Sequence, residues 1–304
     1  MTLERDFSGY GNKQPQAAWP EGARIAVQFV LNVEEGGERC VLNGDGESEA
    51  FLSEIVGAQP FIGKRHMSME SLYEYGSRAG VWRILDLFRS RGAAMTLFTI
   101  ALAAQKNPKI IEQALKDGHE IASHGLRWID YSQIAEDIER EHLEKSVEIL
   151  QGLCGEKPKG WYTGRTSENT RRLVAEHGGF VYDADDYSDD LPFWSKVTDR
   201  PHLIVPYTLD TNDMRFATAQ GFNIGAHFEN YVRDAFDVLY KEGETTPKML
   251  SIGLHSRLIG RPARFAALER LLDYILSHDK VWVCRRIDIA EHWRNTHPFK
   301  GCAI

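Results

Sequence analysis

RIAVQFVLNVEEGG, residues 24–37, runs from an apolar stretch interrupted only by Gln28 into two carboxylates and two glycines. Ile25 to Leu31 has the length of a strand. Its continuous rather than alternating hydrophobicity suits a strand buried on both faces, as in a parallel sheet. The chain then leaves the core at Glu34-Glu35 and turns at Gly36-Gly37. Charged residues at the end of a buried strand are the usual build of an active-site rim. The two glutamates are adjacent, so an extended chain aims them to opposite sides and lets them serve different purposes.

The same pattern recurs along the chain. Helical spacing over 81–88 precedes a strand at 94–99, a helix at 108–116 and a short strand ending at Ser123-His124. A long charged helix over 133–153 follows. Further strands are predicted near 160–162, 180–182, 203–207, 249–254 and 281–284, with helices over 167–177, 227–241, 264–277 and 287–294. Residues 1–23 read as a surface arm. Residues 38–78 read as an excursion after the first strand, with a short helix around 49–56. Alternation of this kind predicts a single α/β domain spanning 1–304.

Polar clusters choose between a barrel and an open sheet. Glu34-Glu35, His124, Tyr162 with Arg165, Asp210 with Asp213, and His255 with Arg257 each follow a strand. Loops after the strands of a β/α barrel converge on one face and build its active site. Five such clusters favour a barrel.

Composition narrows the function. An apolar content of 42% with 26% charged residues is ordinary for a globular protein, and no apolar run reaches the ~20 residues of a membrane span. The N-terminal residues predict no secretory leader, and the net charge of −8 argues against a general nucleic-acid binder. Cys40, Cys154, Cys284 and Cys302 are scattered, which predicts unpaired structural thiols in a cytoplasmic protein.

Each cluster has a plain and a chemical reading. One glutamate of the pair, set against apolar walls, would have a raised pKa and suit a general base; otherwise the pair is a solvated acidic turn. His124 alone reads as a hydrogen-bonded structural histidine or a ligand. His255 lies close to Arg257 and Arg261, a setting expected to favour its neutral imidazole. Asp210 and Asp213 are spaced to orient an arginine or histidine, or simply to make a turn. Arg165 offers a planar fork of donors for a carbonyl-rich ligand. The acidic loop holding Asp183, Asp185, Asp186, Asp189 and Asp190 is assigned no chemistry.

Taken in order, these clusters resemble the motifs of the polysaccharide deacetylase (NodB-homology) superfamily. Its T-F-D-D, H-S/T-x-x-H, arginine, D-x-x-D and L-x-H motifs align with Asn32-Val33-Glu34-Glu35, His124 to Trp128, Arg165, Asp210 to Asp213, and Leu254-His255. The resemblance implies an incomplete (β/α) barrel, with Glu34 in the position of the catalytic base. It also maps the metal-binding aspartate onto Glu35 and the second metal histidine onto Trp128, which cannot coordinate. One histidine and one longer carboxylate fall short of a catalytic zinc site, so no metal and no other cofactor is expected.

A narrower resemblance covers almost the whole chain. The stretches LNVEEGGER (31–39), SMESLYEYGSRAGVWRIL (68–85), SHGLRWIDY (123–131), GWYTGRTSENTRRLV (160–174), PYTLDTNDMRF (206–216) and SIGLHSRLIGRPAR (251–264) are similar to the bacterial metal-independent allantoinases recruited from this superfamily. That similarity implies hydrolysis of the hydantoin ring of allantoin to allantoate, in purine (ureide) catabolism, by a homotetramer. It places Glu34, Glu35, His124 and His255 in catalysis and Trp128, Tyr162, Arg165, Asp213 and Arg257 around the substrate. Rival expectations are a metal-dependent sugar or peptidoglycan deacetylase, a catalytically silent sugar-binding protein, and a hydrolase of other cyclic amides.

Overall fold

The structure, a computed structural model, describes residues 5–300 except 196 and 199; the first four residues of the arm and Cys302 lie outside that set. Among the described residues nine strands form one sheet: β1 (Ile25–Val33), β2 (Thr96–Thr99), β3 (Glu120–Ser123), β4 (Gly160–Trp161), β5 (Tyr182–Asp183), β6 (Phe193–Ser195), β7 (His202–Ile204), β8 (Lys248–His255) and β9 (Val281–Val283). Their order is β6-β7-β5-β4-β3-β2-β1-β8, parallel throughout except for β6 against β7. β8 runs along β1 from Ile25 to Asn32, β2 pairs with the C-terminal part of β1, and β9 pairs with its first three residues.

The sheet curls towards a barrel without closing into one, as expected. Among the described residues, only a single parallel bridge, Asn212 to Gly253, spans the seam on the β7 side of β8. There the Gly253 N–H donates to the Thr211 carbonyl at 3.0 Å, and the Thr211 hydroxyl donates to the Ser251 carbonyl at 2.6 Å. A Cβ at residue 253 would sit 2.2 Å from Asn212 Nδ2 and 2.6 Å from the Tyr207 hydroxyl, so the seam needs glycine at this point.

The helices are α1 (Met67–Tyr75), α2 (Val81–Arg91), α3 (Ala101–Lys106), α4 (Pro108–Lys116), α5 (Glu136–Cys154), α6 (Thr170–His177), α7 (Gly225–Glu242), α8 (Pro262–Leu276) and α9 (Arg286–Thr296). Proline opens α4 and α8, where its missing N–H costs nothing, and left-handed Gly155 ends α5. Strand parity divides the core. Ile25, Val27, Phe29, Leu31 and Val33 pack against the helices, whereas Ala26 and Val30 join Phe98, Tyr162, Tyr182 and Tyr207 inside the curl. The arm covers part of that inner cluster: buried Trp19 packs on Trp282 and Trp293 and donates to the Lys248 carbonyl.

Two expectations need correction. Residues 49–56 form bends rather than a helix. The Glu49 carboxylate takes the N–H groups of Ala50 and Phe51, and Leu52 adopts a left-handed φ of 54°. Such local side-chain bonds compete with helical ones. The helix of the excursion is instead α1, whose His66 cap accepts from Met69 N. The long charged helix begins at Glu136 rather than 133, because Asp130 takes the Ser132 N–H and starts a separate 3₁₀ turn, Tyr131–Gln133. The unanticipated α3 and β6, at six and three residues, are too short to show a period. Cys40, Cys154 and Cys284 are unpaired.

Candidate active site

Parity also separates the two glutamates. Glu34 falls on the inner side of the curl, where the ends of β3 and β8 bring His124 and His255 to it. His124 Nε2 lies 3.3 Å and His255 Nε2 lies 3.4 Å from the same oxygen, Glu34 Oε1. Glu34 Oε2 accepts from Arg257 Nη2 at 2.7 Å. Glu35, on the other side, lies 3.4 Å from Arg257 Nη1 and accepts the Glu34 N–H at 3.2 Å. All of these groups are buried.

The far nitrogens of both imidazoles are fixed. His124 Nδ1 lies 3.2 Å from the Tyr162 carbonyl, which can only accept, so the ring donates there. His255 Nδ1 lies 2.6 Å from Asp213 Oδ1. Each Nε2 is therefore the nitrogen presented to Glu34. These partners decide the charges. Burial raises the Glu34 pKa, but Arg257, His255 and the imidazole hydrogen bonds outweigh it and hold the carboxyl well below 4.5. Burial likewise opposes charge on His255, yet Glu34 and Asp213 raise its pKa to about 9. The expectation of a neutral His255 fails because Arg257 turns away to the glutamates and leaves the imidazole facing two carboxylates. Glu35 has its pKa raised, first by burial and then by Glu34, with Arg257 opposing.

The residues expected around a substrate fall into two groups. Trp128 and Arg165 form one wall: Trp128 stacks on Phe51, and the Arg165 guanidinium lies 4.8 Å from the Trp128 ring centroid and 5.6 Å from that of Phe51. Tyr162 packs beside His124, with its hydroxyl 3.0 Å from that of Tyr187. Asp213 and Arg257 are placed differently. Asp213 is wholly buried, with its oxygens taken by His255 Nδ1 and the N–H groups of His255 and Ile259. Arg257 is bound to Glu34, Glu35 and the Leu52 carbonyl. Both hold other side chains rather than facing open space.

Sequence reasoning passed over two further carboxyls. Asp185, in the acidic loop set aside above, accepts the N–H groups of Thr163 and Gly164 at 2.7 Å each and so fixes the turn that carries Arg165. Burial and then Asp183 push its pKa up to about 7. Glu38 accepts the Gly36 N–H in the turn after β1, and burial raises its pKa to about 7. Asp185 sits in no motif, and Glu38 lies in the LNVEEGGER stretch with no role assigned to it; their surroundings in the fold, which the sequence does not print, distinguish them from solvated acids.

This chain resembles known proteins along its whole length. A protein of Schizosaccharomyces pombe, provisionally named a polysaccharide deacetylase, is 44% identical over 99% of this chain and 100% of its own. The polysaccharide deacetylase family model matches residues 65–181. The chain belongs to the polysaccharide deacetylase family. Two solved structures agree with that placement, both with a TM-score of 0.97. One, from Pseudomonas aeruginosa PAO1, is also provisionally a polysaccharide deacetylase; it is 64% identical and covers 98% of this chain and 100% of its own. The other is Puue allantoinase, 61% identical, covering 99% and 100%.

The donors of this site differ from the metal-ligand set that the motif resemblance implies. The position expected to supply a second metal histidine holds Trp128, whose indole has no lone pair to give. Glu35, in the expected metal-aspartate position, is turned to Arg257 and to backbone. The carboxylate nearest both imidazoles, Glu34, already carries a guanidinium at 2.7 Å. Among the described residues no group of three or more His, Cys, Asp or Glu side chains is arranged to hold a metal ion. The residues present do not fit a divalent cation; the fixed positive charges beside Glu34 are Arg257 and protonated His255.

Proposed function

We propose that this deacetylase-family chain is a metal-independent allantoinase, hydrolysing the hydantoin ring of allantoin to allantoate. The observation that carries the reading is Glu34 Oε1 set between two imidazole Nε2 atoms, with Arg257 on the other oxygen. The 61% identity to Puue allantoinase over the whole chain supports the choice of substrate.

In this reading a water beside Glu34 Oε1 attacks the ring carbonyl next to the ureido-bearing carbon, and Glu34 takes its proton. The carbonyl oxygen becomes an oxyanion, for which the Trp128 indole N–H is the candidate donor, while Arg165 grips the substrate's carbonyls. A fixed donor of this kind contributes about 3 kcal/mol. The tetrahedral centre then collapses, and its bond to the ring nitrogen breaks. That nitrogen is flanked by a second carbonyl, so it leaves more readily than an ordinary amide. Protonated His255, held by Asp213, hands it the proton, and the proton on Glu34 restores the imidazolium. Ring amide and water give a carboxylate and a ureido group. The same reading makes the protein a cytoplasmic homotetramer in purine (ureide) breakdown.

The second reading is a metal-dependent N-deacetylase, favoured by the name of the S. pombe relative. One assay separates them. Chelator-treated protein is tested against allantoin, unsubstituted hydantoin and a chitin oligomer. Undiminished turnover of allantoin, with no metal by elemental analysis, supports the proposal. Acetate release from the oligomer that needs added zinc sinks it.

A further inference from the structure

α1 and α2 are one continuous helix, joined through a π turn at Gly76–Gly80. Neither glycine is there for its conformation. Gly76 has φ −56° and ψ −52°, and Gly80 has φ −64° and ψ −45°, angles open to any residue. Glycine inside a helix costs about 1 kcal/mol against alanine, so two of them in five residues call for another reason. The reason is lateral space. A Cβ on residue 76 would lie 2.3 Å from Glu35 Oε1, 2.7 Å from Glu35 Cδ and 2.9 Å from Arg257 N. A Cβ on residue 80 would lie 2.0 Å from the Ser256 carbonyl oxygen. The helix backbone therefore rests on the Glu35 carboxylate at one point and on the turn after β8 at the other. On either side of the π turn, Tyr75 donates to the Gly260 carbonyl at 3.3 Å and Arg83 donates to the same oxygen. π turns recur at functional sites because the extra residue shifts what the helix presents.

We propose that Gly76 and Gly80 are positioning residues of the active site: the π turn presses Glu35 and the 255–257 backbone into the register at which Arg257 and His255 reach Glu34. This rests on the allantoinase reading for its kinetic consequence, but not for the contact itself. Glu35 is held between helix and Arg257, and Arg257 bridges Glu35 to Glu34, so a displaced helix face moves the cation that fixes Glu34.

Gly76→Ala and Gly80→Ala in the full chain test this. The expected result is a loss of about 100-fold in kcat for allantoin, the scale of a small misplacement at a reacting centre, with KM changed by less than about threefold. The pH profile should narrow from both sides. Glu34 would lose part of the pull of Arg257, His255 and His124 against Glu35, moving the acid limb up. His255 would lose part of that of Glu34 while keeping Asp213, moving the basic limb down. A lower urea midpoint with kcat and profile unchanged would overturn the proposal, because the glycines would then serve packing alone.

A second measurement needs no substrate. Glu35→Asp withdraws the carboxylate from the added methyl, so Gly76→Ala with Glu35→Asp should be more stable than the sum of the single changes predicts. Additive urea midpoints would refute the contact. Where Gly76→Ala alone does not fold, recovery of folding in the pair is the supporting result and its absence the refuting one. If the wild-type protein leaves allantoin intact, the functional reading fails and this coupling still decides the role of the π turn.

Discussion

Asp213 grips His255 twice, one carboxylate oxygen lying 2.6 Å from the imidazole Nδ1 and the other accepting the backbone N–H of the same residue at 2.8 Å. The double contact fixes the ring and its protonated nitrogen together, and it leaves Nε2 facing Glu34. Asp213 is thus a positioning residue for the proton donor. Asp213→Asn preserves shape but replaces one oxygen by an N–H group that cannot accept from Nδ1. We expect kcat for allantoin to fall by about 100-fold or more, within the range for general acid–base catalysis. The basic limb of the kcat profile should move down from about 9, because one of the two carboxylates that raise His255 is gone. A basic limb left in place would assign that limb to another group.

The raised pKa of His255 is also a statement about folding. Its folded value of about 9 lies above the usual 6.5, so folding favours the protonated form. The resulting stabilisation is complete below pH 6.5 and is lost as pH rises through 9. It is on the order of 3 kcal/mol at its largest. Urea unfolding of wild type and His255→Asn at pH 6 and at pH 9.5 should show a gap in midpoint that shrinks at the higher pH. A gap that widens with pH would have the opposite sign and would mean that His255 is neutral in the folded protein.

Arg257 is the cation on which both glutamates depend. Arg257→Met keeps much of the volume but leaves Glu34 and Glu35 buried without it. Removing one partner of a buried ion pair destabilises by about 3–5 kcal/mol, and we expect a loss of that size in chemical denaturation. The cost should be larger at pH 7 than at pH 4, where Glu35, whose pKa is raised, accepts a proton more readily. A cost equal at the two pH values would show that the lost contacts are packing rather than charge.

Arg165 is the more exposed of the two arginines, and its planar head lies over Trp128 and Phe51. A lysine there keeps the charge but not the fork or the stacking surface. Arg165→Lys should raise KM for allantoin by about tenfold with kcat within a few-fold, the signature of lost binding shared by ground and transition states. Steady-state kinetics check this; a fall in kcat at constant KM would make Arg165 an oxyanion donor instead of a grip.

The sequence by itself determined the strand run of β1, the alternation of strands and helices, and the strand ends at which Glu34, His124 and His255 stand. Those features are written in local hydrophobic periodicity, which neighbouring residues reveal without reference to distant ones. It also separated Glu34 from Glu35 by strand parity. Tertiary structure decided the rest. Arg257 and Glu34 are 223 residues apart, and Glu35 meets the helix at Gly76, so neither contact has a local pattern. His255 shows the difference most clearly: beside its sequence neighbours Arg257 and Arg261 it reads as a neutral ring, and beside its spatial neighbours Glu34 and Asp213 it carries a charge. A pKa is set by what lies within a few ångströms in a medium of low dielectric, and folding, not sequence proximity, chooses those groups.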